Sequence, residues 1–102
     1  MRLESFSPKA RQDVEQAAAY YAAESGVALA MRFLQSLELA VQQIEERPMM
    51  GSRRWPQIGP ADLRGWRVTG FPYIIFYIVT ADRIDVVRIA HMSRDIPATL
   101  QE

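Results

Sequence analysis

The side chains best suited to chemistry lie in the last third of the chain. They are four arginines and the only histidine of the sequence: Arg64, Arg67, Arg88, His91 and Arg94. Arginines can bind a phosphate and a histidine can move a proton, so such a group could cleave RNA through attack by a 2′-hydroxyl. A purely structural role is the favoured interpretation, in which Arg67 and Arg88 neutralise carboxylates such as Asp85 or Asp95. His91 can then bond a backbone group where its strand ends.

The spacing of these residues decides whether they can converge. Side chains alternate between the two faces of a strand, so Arg88 is predicted to share a face with Ile84, Val86 and Ala90. His91 then falls on the opposite face, unless the strand ends or bulges before it.

Other kinds of catalytic site lack their residues. The sequence has no cysteine and one histidine, which cannot supply the nitrogen and sulfur ligands of the usual metal sites. It also has no phosphate-binding loop, no dinucleotide-binding fingerprint and no hydrolase nucleophile motif. We therefore expect neither a metal nor a cofactor, and any catalysis must come from scattered side chains.

Three strand-like runs position the arginines and the histidine: Arg64, Arg67 and Arg88 lie within the outer two, and His91 and Arg94 follow the last one. Tyr73–Val79 is continuously apolar and rich in aromatic and β-branched residues, which predicts a strand covered on both faces. The runs 63–68 and 84–90 alternate apolar with polar residues, as strands with one wet face do. Because short connections join the three runs, they are predicted to form an antiparallel meander with 73–79 in the middle.

Two helices are predicted before the meander. Ser7 and Pro8 form a helix start, because serine caps open backbone amides and proline fits the first helical position. Small residues then recur at helical spacing as far as Tyr21, which allows a second helix to approach closely. Ser25 and Gly26 end this pattern.

The second helix is predicted to run from about Val27 to Arg47 and to end at Pro48. It carries two apolar stripes: Val27, Met31, Leu34, Val41 and Ile44 in one, and Leu29, Phe33, Leu37 and Ala40 in the other. One stripe is expected to face the sheet and the other the first helix. With a short strand at 3–6, the predicted fold is α+β in the order β-α-α-β-β-β, a helical hairpin packed on an antiparallel sheet.

Length and composition fit a single domain spanning residues 1–102. No window approaches the roughly 20 apolar residues of a membrane span, and no signal-peptide pattern is present, so we expect a cytoplasmic protein without a membrane partner.

Only Lys9 among the 12 basic residues is a lysine. This arginine bias favours bidentate pairing with a specific partner, although a GC-rich genome produces the same bias. The charge asymmetry is too small to predict nucleic-acid binding.

The strings GFPYIIFYIV and RIAHMSRDIP, with the β-α-α-β-β-β order, resemble the ParE toxins of the ParE/RelE toxin superfamily. The likeness covers nearly the whole chain, and residues 64–77 and 88–97 carry most of it. It implies a toxin encoded beside a ParD-like antitoxin, which wraps the toxin and is the only link to operator DNA. It also implies DNA gyrase as the target, poisoned by protein binding without covalent chemistry.

The resemblance and the residue types together suggest two surfaces. Antitoxin contacts are expected from an apolar groove and nearby arginines: Tyr20, Phe33, Trp66, Arg67, Phe71 and Arg88. The target is expected to meet the exposed end of the chain's last strand, at His91, Met92, Ser93, Arg94, Asp95 and Ile96. The toxin and its antitoxin are expected to form a hetero-oligomer.

RelE-like relatives cut mRNA in the ribosome instead, and this activity is the alternative. They place an arginine in the third strand, where this chain has Ile74, and a tyrosine or histidine beyond the last strand. This chain has His91 near that strand end and Leu100 further on. The arginine of the nucleases is therefore replaced by Ile74, and the match to their tyrosine or histidine is ambiguous. The balance favours gyrase; an mRNA interferase would use the arginine and histidine group named first. A third possibility is an inactive member that only binds the antitoxin as a co-repressor.

Overall fold

The centre of the sheet is strand β3, Tyr73–Val79, in the computed structural model, which describes residues 3–53 and 62–93. Tyr73, Ile75 and Tyr77 pack into the core that the helices share, while Ile74 and Phe76 belong to a second cluster on the other face. All five side chains are buried. The strand is therefore covered on both faces, as its unbroken apolar run predicts.

The predicted meander is confirmed. Strand β2, Arg64–Arg67, and strand β4, Arg83–His91, both pair with β3 in antiparallel register. These strands lie within one or two residues of the predicted bounds, which is the usual uncertainty at element ends.

A β-bulge at Val87 corrects the predicted sharing of faces along β4. Tyr77 pairs with Val86, whereas the preceding residue Phe76 pairs with Arg88, so β4 holds one extra residue at this point. An extra residue reverses the alternation of side chains. Arg88 therefore pairs on the face opposite to Val86.

Strand β1, Leu3–Phe6, pairs with β4 in parallel, which gives the strand order β1-β4-β3-β2. The sheet is consequently mixed, and the prediction of a wholly antiparallel sheet is wrong for this one edge. Parallel neighbours need a long crossover connection. The helical hairpin and the first part of the meander supply that connection between β1 and β4.

Helix α1, Pro8–Ser25, begins at the predicted cap. The Ser7 hydroxyl accepts a hydrogen bond from the Ala10 N–H at 3.0 Å and donates one to the Val87 carbonyl at 2.7 Å. Ala10 and Ala17 are buried against the rest of the core. The cap thus starts the helix and also attaches it to the open edge of β4, beyond the end of β1.

Helix α2, Val27–Glu46, follows after a turn at Gly26, whose φ of 93° suits glycine. Its buried side chains include Phe33, Leu37 and Ile44. No helix within the described ranges is long and apolar enough to cross a membrane.

The first predicted stripe of α2 is only partly buried. Val41 and Ile44 lie in the core, but Val27, Met31 and Leu34 are 66%, 55% and 40% exposed. The expectation that both stripes are covered is therefore wrong for the N-terminal half of α2.

Candidate functional site

An ion pair joins β4 to α1 beside the expected site. The Arg88 Nε and Nη2 atoms donate to the two carboxylate oxygens of Asp13 at 2.8 and 3.0 Å, and the Ile89 N–H donates to the same carboxylate at 2.9 Å. Both charged side chains are largely buried. Asp13 therefore satisfies a backbone amide on the open edge of β4 and neutralises the arginine that follows the bulge.

His91 stands at the end of β4. Its Nδ1 atom accepts a hydrogen bond from the Ser93 N–H at 3.1 Å, and the Ser93 hydroxyl lies 2.7 Å from the same nitrogen. Because Nδ1 is an acceptor, a neutral ring carries its proton on Nε2. The ring also meets Tyr73 edge-on, with centroids 5.0 Å apart. His91 thus bonds a backbone group at its strand end, as the structural interpretation predicts.

A polar pocket of about 290 Å³ opens between α1 and the end of β4. Its lining combines hydroxyl, amide and imidazole groups from Gln16, Tyr20, Tyr21, Tyr73, His91 and Ser93. Burial, and to a smaller extent the neighbouring Tyr20, raises the pKa of Tyr21. Tyr21 is therefore a neutral hydrogen-bonding group at ordinary pH. These groups can bind a polar ligand, but none of them is a cation fixed opposite His91.

Arg67 and His91 meet in a second pocket at the end of the sheet. Arg67, Phe71 and Pro72 line one side of it and His91, Met92 and Ser93 the other. Arg67 is exposed and is the last residue of β2. We call this cavity the end-of-sheet pocket.

The other members of the arginine group are occupied in the structure or fall outside it. The Arg64 Nη1 atom donates to the carbonyls of Met49 and Gly51 at 2.9 and 3.1 Å, which ties β2 to the segment after α2. Arg88 pairs with Asp13, whereas the carboxylate named beforehand, Asp85, pairs with Arg83 at 2.7 Å. Arg94 lies outside the described residues. Of the candidate catalytic residues that the structure describes, only Arg67 and His91 line a common pocket.

The expected antitoxin residues separate into three places. Tyr20 is 59% exposed and touches Tyr21, which in turn packs on Phe71 with ring centroids 5.3 Å apart. Trp66 is half-buried beside α2, where its indole N–H donates to the Gln43 side chain at 3.3 Å. Arg67 belongs to the end-of-sheet pocket.

Two of the expected antitoxin residues are not accessible. Phe33 is completely buried between Phe71 and Tyr73, with ring centroids 5.3 Å from each. Arg88 is 8% exposed and bound to Asp13. Both are structural residues in this conformation, because a partner can reach neither of them without opening the core.

Of the expected target residues, His91, Met92 and Ser93 lie together at the mouth of the end-of-sheet pocket. Met92 is exposed and its N–H donates to the Pro72 carbonyl at 2.8 Å, which fixes where the chain leaves the sheet. Arg94, Asp95 and Ile96 lie outside the described residues.

Sequence reasoning missed Asp13, although a signal was present. Asp13 falls between Ala10 and Ala17 on the buried stripe of α1, where a carboxylate is unusual and calls for a buried cation.

Within residues 3–53 and 62–93, no cluster of histidine and carboxylate side chains could hold a metal ion.

Comparison with known proteins agrees with this architecture. A family profile described as the ParE toxin of the type II toxin-antitoxin system, parDE, matches residues 5–96. A search of curated protein sequences found no match.

Two solved structures share the fold. One belongs to a chromosomal ParDE toxin-antitoxin system from P. aeruginosa, with 20% identity, a TM-score of 0.77, and coverage of 91% of this chain and 98% of the other. The second comes from the E. coli DinJ-YafQ complex, with 14% identity, a TM-score of 0.60, and coverage of 89% and 93%. At these identities the likeness concerns the backbone arrangement.

Proposed function

The chain belongs to the ParE toxin family of type II toxin-antitoxin systems, and from this premise we propose that it poisons DNA gyrase by binding it. We further propose that a ParD-like antitoxin neutralises it and provides its only link to operator DNA. Both partners are inferred from the family and from the surfaces described above.

The observation that supports the proposal is that two of the candidate arginines, Arg64 and Arg88, bind groups of the chain itself. Arg64 holds backbone carbonyls and Arg88 holds a buried carboxylate, so neither guanidinium is directed at a ligand. Ile74, at the position where RelE-like nucleases place an arginine, is a buried apolar residue. Cleavage of a phosphodiester needs fixed cations around the transferring phosphate. The scarcity of such cations among residues 3–53 and 62–93 favours a protein that acts through binding.

For the antitoxin, the best candidates are the accessible members of the expected set, which an antitoxin that wraps the toxin could contact at their separate places. Tyr20, Phe71 and Trp66 present partly exposed rings, and aromatic anchors with an arginine are typical of the energetic centre of an interface. Arg67 can pair with an acidic group of the antitoxin at its edge. Phe33 supports this surface from beneath through its contact with Phe71.

For gyrase, the proposed contact is the end-of-sheet pocket and the residues that follow it. His91, Met92 and Ser93 stand at its rim, and Arg94, Asp95 and Ile96 continue the chain. Deleting residues 94–102 is expected to abolish toxicity while circular dichroism shows an intact fold. Toxicity that survives the deletion would count against this assignment.

The decisive experiment adds the purified protein to two systems. With gyrase and supercoiled or relaxed DNA, we expect loss of supercoiling or accumulation of cleaved DNA; with translating ribosomes, we expect intact mRNA. Cleaved mRNA together with unaffected gyrase would overturn the proposal in favour of an interferase. Silence in both systems would favour an inactive member that serves as a co-repressor.

A second experiment tests the antitoxin surface. Tyr20→Ala and Trp66→Ala are each expected to weaken antitoxin binding by roughly tenfold or more, which corresponds to about 1.4 kcal/mol. Lys9→Ala, an exposed change on α1, serves as the matched control and should leave the affinity unchanged. Unchanged affinity in both aromatic variants would reject this surface.

The interferase alternative rests on one specific observation. His91 lies beside Tyr73 and lines two pockets, one of which also contains Gln16 and Tyr20 and the other Arg67. Such groups can hold and move a proton when a nucleotide is bound next to them. The ribosome assay above decides between the two activities.

A further inference from the structure

The turn between β2 and β3 has an open tip. The Phe71 N–H donates to the Val68 carbonyl at 3.3 Å, and Gly70 has a φ of 83°. This is a tight turn with glycine at its third position, where a positive φ is required. Thr69 and Gly70 are exposed, and a Cβ on Gly70 would meet no atom within 4 Å apart from its chain neighbours. The tip is therefore accessible to a partner.

Two pockets flank this turn and share its residues Thr69, Gly70 and Phe71. The first is the end-of-sheet pocket, which contains Arg67. The second has a volume of about 470 Å³, lies between the turn and α2, and contains Arg32. We call it the helix-flank pocket. Each side of the turn therefore has an arginine.

Charge distinguishes these two pockets from the others. Neither has a carboxylate among its described lining residues, whereas Asp13 lines the polar pocket beside α1, and Glu15 and Glu38 line a groove between the helices. Arg32 and Arg67 are exposed, and within residues 3–53 and 62–93 neither side chain forms an ion pair or a hydrogen bond. Both guanidinium groups are thus available to an anion from outside the chain.

Other polar groups accompany the two arginines. Ser36 adds a hydroxyl to the helix-flank pocket, His91 adds an imidazole to the end-of-sheet pocket, and Thr69 adds a hydroxyl to both. The backbone N–H groups of Thr69 and Gly70 have no acceptor in the part of the chain that the structure describes. Arginine, hydroxyl groups and open backbone amides are the groups with which proteins hold the phosphates of nucleic acids.

The arrangement fits a chain of phosphates better than a single anion. Because the turn lies between the two arginines, one carboxylate or phosphate cannot enter both pockets. A nucleic-acid strand has a charge at every nucleotide and can place phosphates on both sides of the turn. Phe71 lines both pockets, and its ring is held edge-on by Tyr21 and Phe33. It offers an apolar surface to a sugar or a base between the phosphates.

The balanced charge of the whole chain restricts where such a contact is effective. With 12 basic and 12 acidic side chains, the chain has no long-range attraction for free DNA. A contact with few phosphates also gives a low affinity by itself. The contact therefore needs a partner that already holds the DNA in place.

We propose that the turn 68–71, with Arg32 and Arg67 on its two sides, binds the sugar-phosphate backbone of DNA that gyrase holds. This inference rests on the proposed action on gyrase and adds a DNA contact to the protein contact. The toxin then recognises the enzyme and its substrate together.

The first test measures gyrase inhibition by variants that lose one positive charge. Arg32→Gln and Arg67→Gln are each expected to raise the toxin concentration for half-maximal inhibition by about tenfold, the effect of one charge-assisted contact. Arg11→Gln removes the same charge from an exposed position on α1 and should change this concentration less than about twofold. Binding of all three variants to gyrase without DNA should stay within about twofold of the wild type.

The salt dependence of binding to the gyrase–DNA complex gives a second readout. Each lost phosphate contact should reduce the slope of log affinity against log salt concentration by about 1. Arg11→Gln should leave the slope unchanged. Circular dichroism of each variant verifies that the fold is kept.

A cross-linking experiment identifies what lies at the tip of the turn. Because the chain has no cysteine, Thr69→Cys provides a unique attachment point for a thiol-reactive photo-cross-linker. With gyrase and an end-labelled duplex that gyrase cleaves, we expect a cross-link to the DNA. Lys9→Cys, an exposed position on α1, is the control and should not label the DNA.

The outcomes separate this inference from the proposed function. If the wild type inhibits gyrase, both arginine variants inhibit it equally well and Thr69→Cys labels no DNA, the inference is overturned while the action on gyrase stands. If the arginine variants lose affinity for gyrase to the same extent without DNA, the arginines meet an acidic protein surface and the inference is overturned. If the wild type leaves gyrase unaffected, both the inference and the proposed function are overturned.

Discussion

Asp13 and Arg88, 75 positions apart in the sequence, form a bidentate ion pair that fastens the first helix to the last strand. The same carboxylate accepts the Ile89 N–H, so one side chain satisfies a guanidinium and a backbone amide. Strand β1 pairs with β4 only as far as Val86. The ion pair lies beyond that point, where α1 and not β1 is next to the edge of β4. Removing either partner would leave the other buried without compensation.

The first prediction concerns this pair. Arg88→Met is expected to lower the free energy of unfolding by about 3–5 kcal/mol, because the Asp13 carboxylate stays buried without its cation. The double variant Asp13→Asn/Arg88→Met should recover part of that loss, since the amide oxygen still accepts the Ile89 N–H and no charge remains. Urea denaturation followed by circular dichroism measures both values.

The control for this prediction is the exposed pair on the same strand. The Arg83 Nε and Asp85 Oδ1 atoms are 2.7 Å apart, but the two side chains are 55% and 32% exposed. Arg83→Met should therefore cost no more than about 1 kcal/mol. Equal losses for Arg83→Met and Arg88→Met would show that burial of the Asp13–Arg88 pair has no energetic consequence.

The second prediction concerns the contact of Gly51 with Tyr77. The Tyr77 hydroxyl donates to the Pro48 carbonyl at 2.7 Å. A Cβ on Gly51 would overlap that hydroxyl and lie 2.8 Å from the Tyr77 Cζ. The φ of Gly51 is an ordinary −63°, so the reason for glycine is space. Gly51→Ala is expected to lower the free energy of unfolding by about 1–3 kcal/mol, as overpacking does.

A double variant separates overpacking from other causes. Tyr77→Phe removes the overlapping oxygen and sacrifices one hydrogen bond, at a cost of about 1 kcal/mol. In its presence Gly51→Ala should therefore cost less than it does alone. Additive losses in thermal or urea unfolding would indicate that the steric explanation is incorrect.

Tyr77 also leads to a prediction about pH. Burial raises the pKa of Tyr77 above its ordinary value of 10.0, an effect that the Gly51 backbone and the Arg64 charge partly offset. The unfolded chain therefore loses this proton at a lower pH than the folded chain does. Stability should be unaffected by Tyr77 below pH 10 and should fall as the pH rises from there toward the folded pKa.

The measurement is the free energy of unfolding across the alkaline range. One tyrosine contributes a decline of at most about 1.4 kcal/mol per pH unit. Tyr77→Phe should flatten the decline, and adding Tyr21→Phe should flatten it further, because the pKa of Tyr21 is also raised by burial. An identical alkaline profile in wild type and both variants would contradict the prediction.

Local patterns were sufficient to predict most of the secondary structure. Ser7 and Pro8 marked the start of α1, and the apolar run Tyr73–Val79 became the central strand with the predicted bounds. These features depend on neighbouring residues and on periodicity, which a single sequence contains. The element order β-α-α-β-β-β followed from the same patterns, and the structure confirms it.

What the sequence could not supply depends on contacts between distant segments. Three features of β4 depend on such contacts: its parallel pairing with β1, the bulge at Val87 opposite β3, and the ion pair of Arg88 with Asp13. A nearby carboxylate such as Asp85 was the natural sequence-based choice, but strand geometry gives it to Arg83. Periodicity likewise marks a side of α2 as apolar without telling whether this chain or another one covers it.

The last prediction separates binding from proton transfer at His91. His91→Gln keeps a side-chain hydrogen-bonding group at the end of β4 but cannot act as a general acid or base at neutral pH. If the protein acts by binding gyrase, growth arrest and gyrase inhibition should fall no more than about tenfold, the scale of one hydrogen bond. If the protein cleaves mRNA through the imidazole, ribosomal cleavage should fall by a factor of about 10²–10⁴.

Inhibition of gyrase in extracts and mRNA integrity on ribosomes, measured on the same His91→Gln preparation, distinguish these outcomes. A complete loss of toxicity with full gyrase binding would contradict the binding mechanism, because the contact with the target would still be intact.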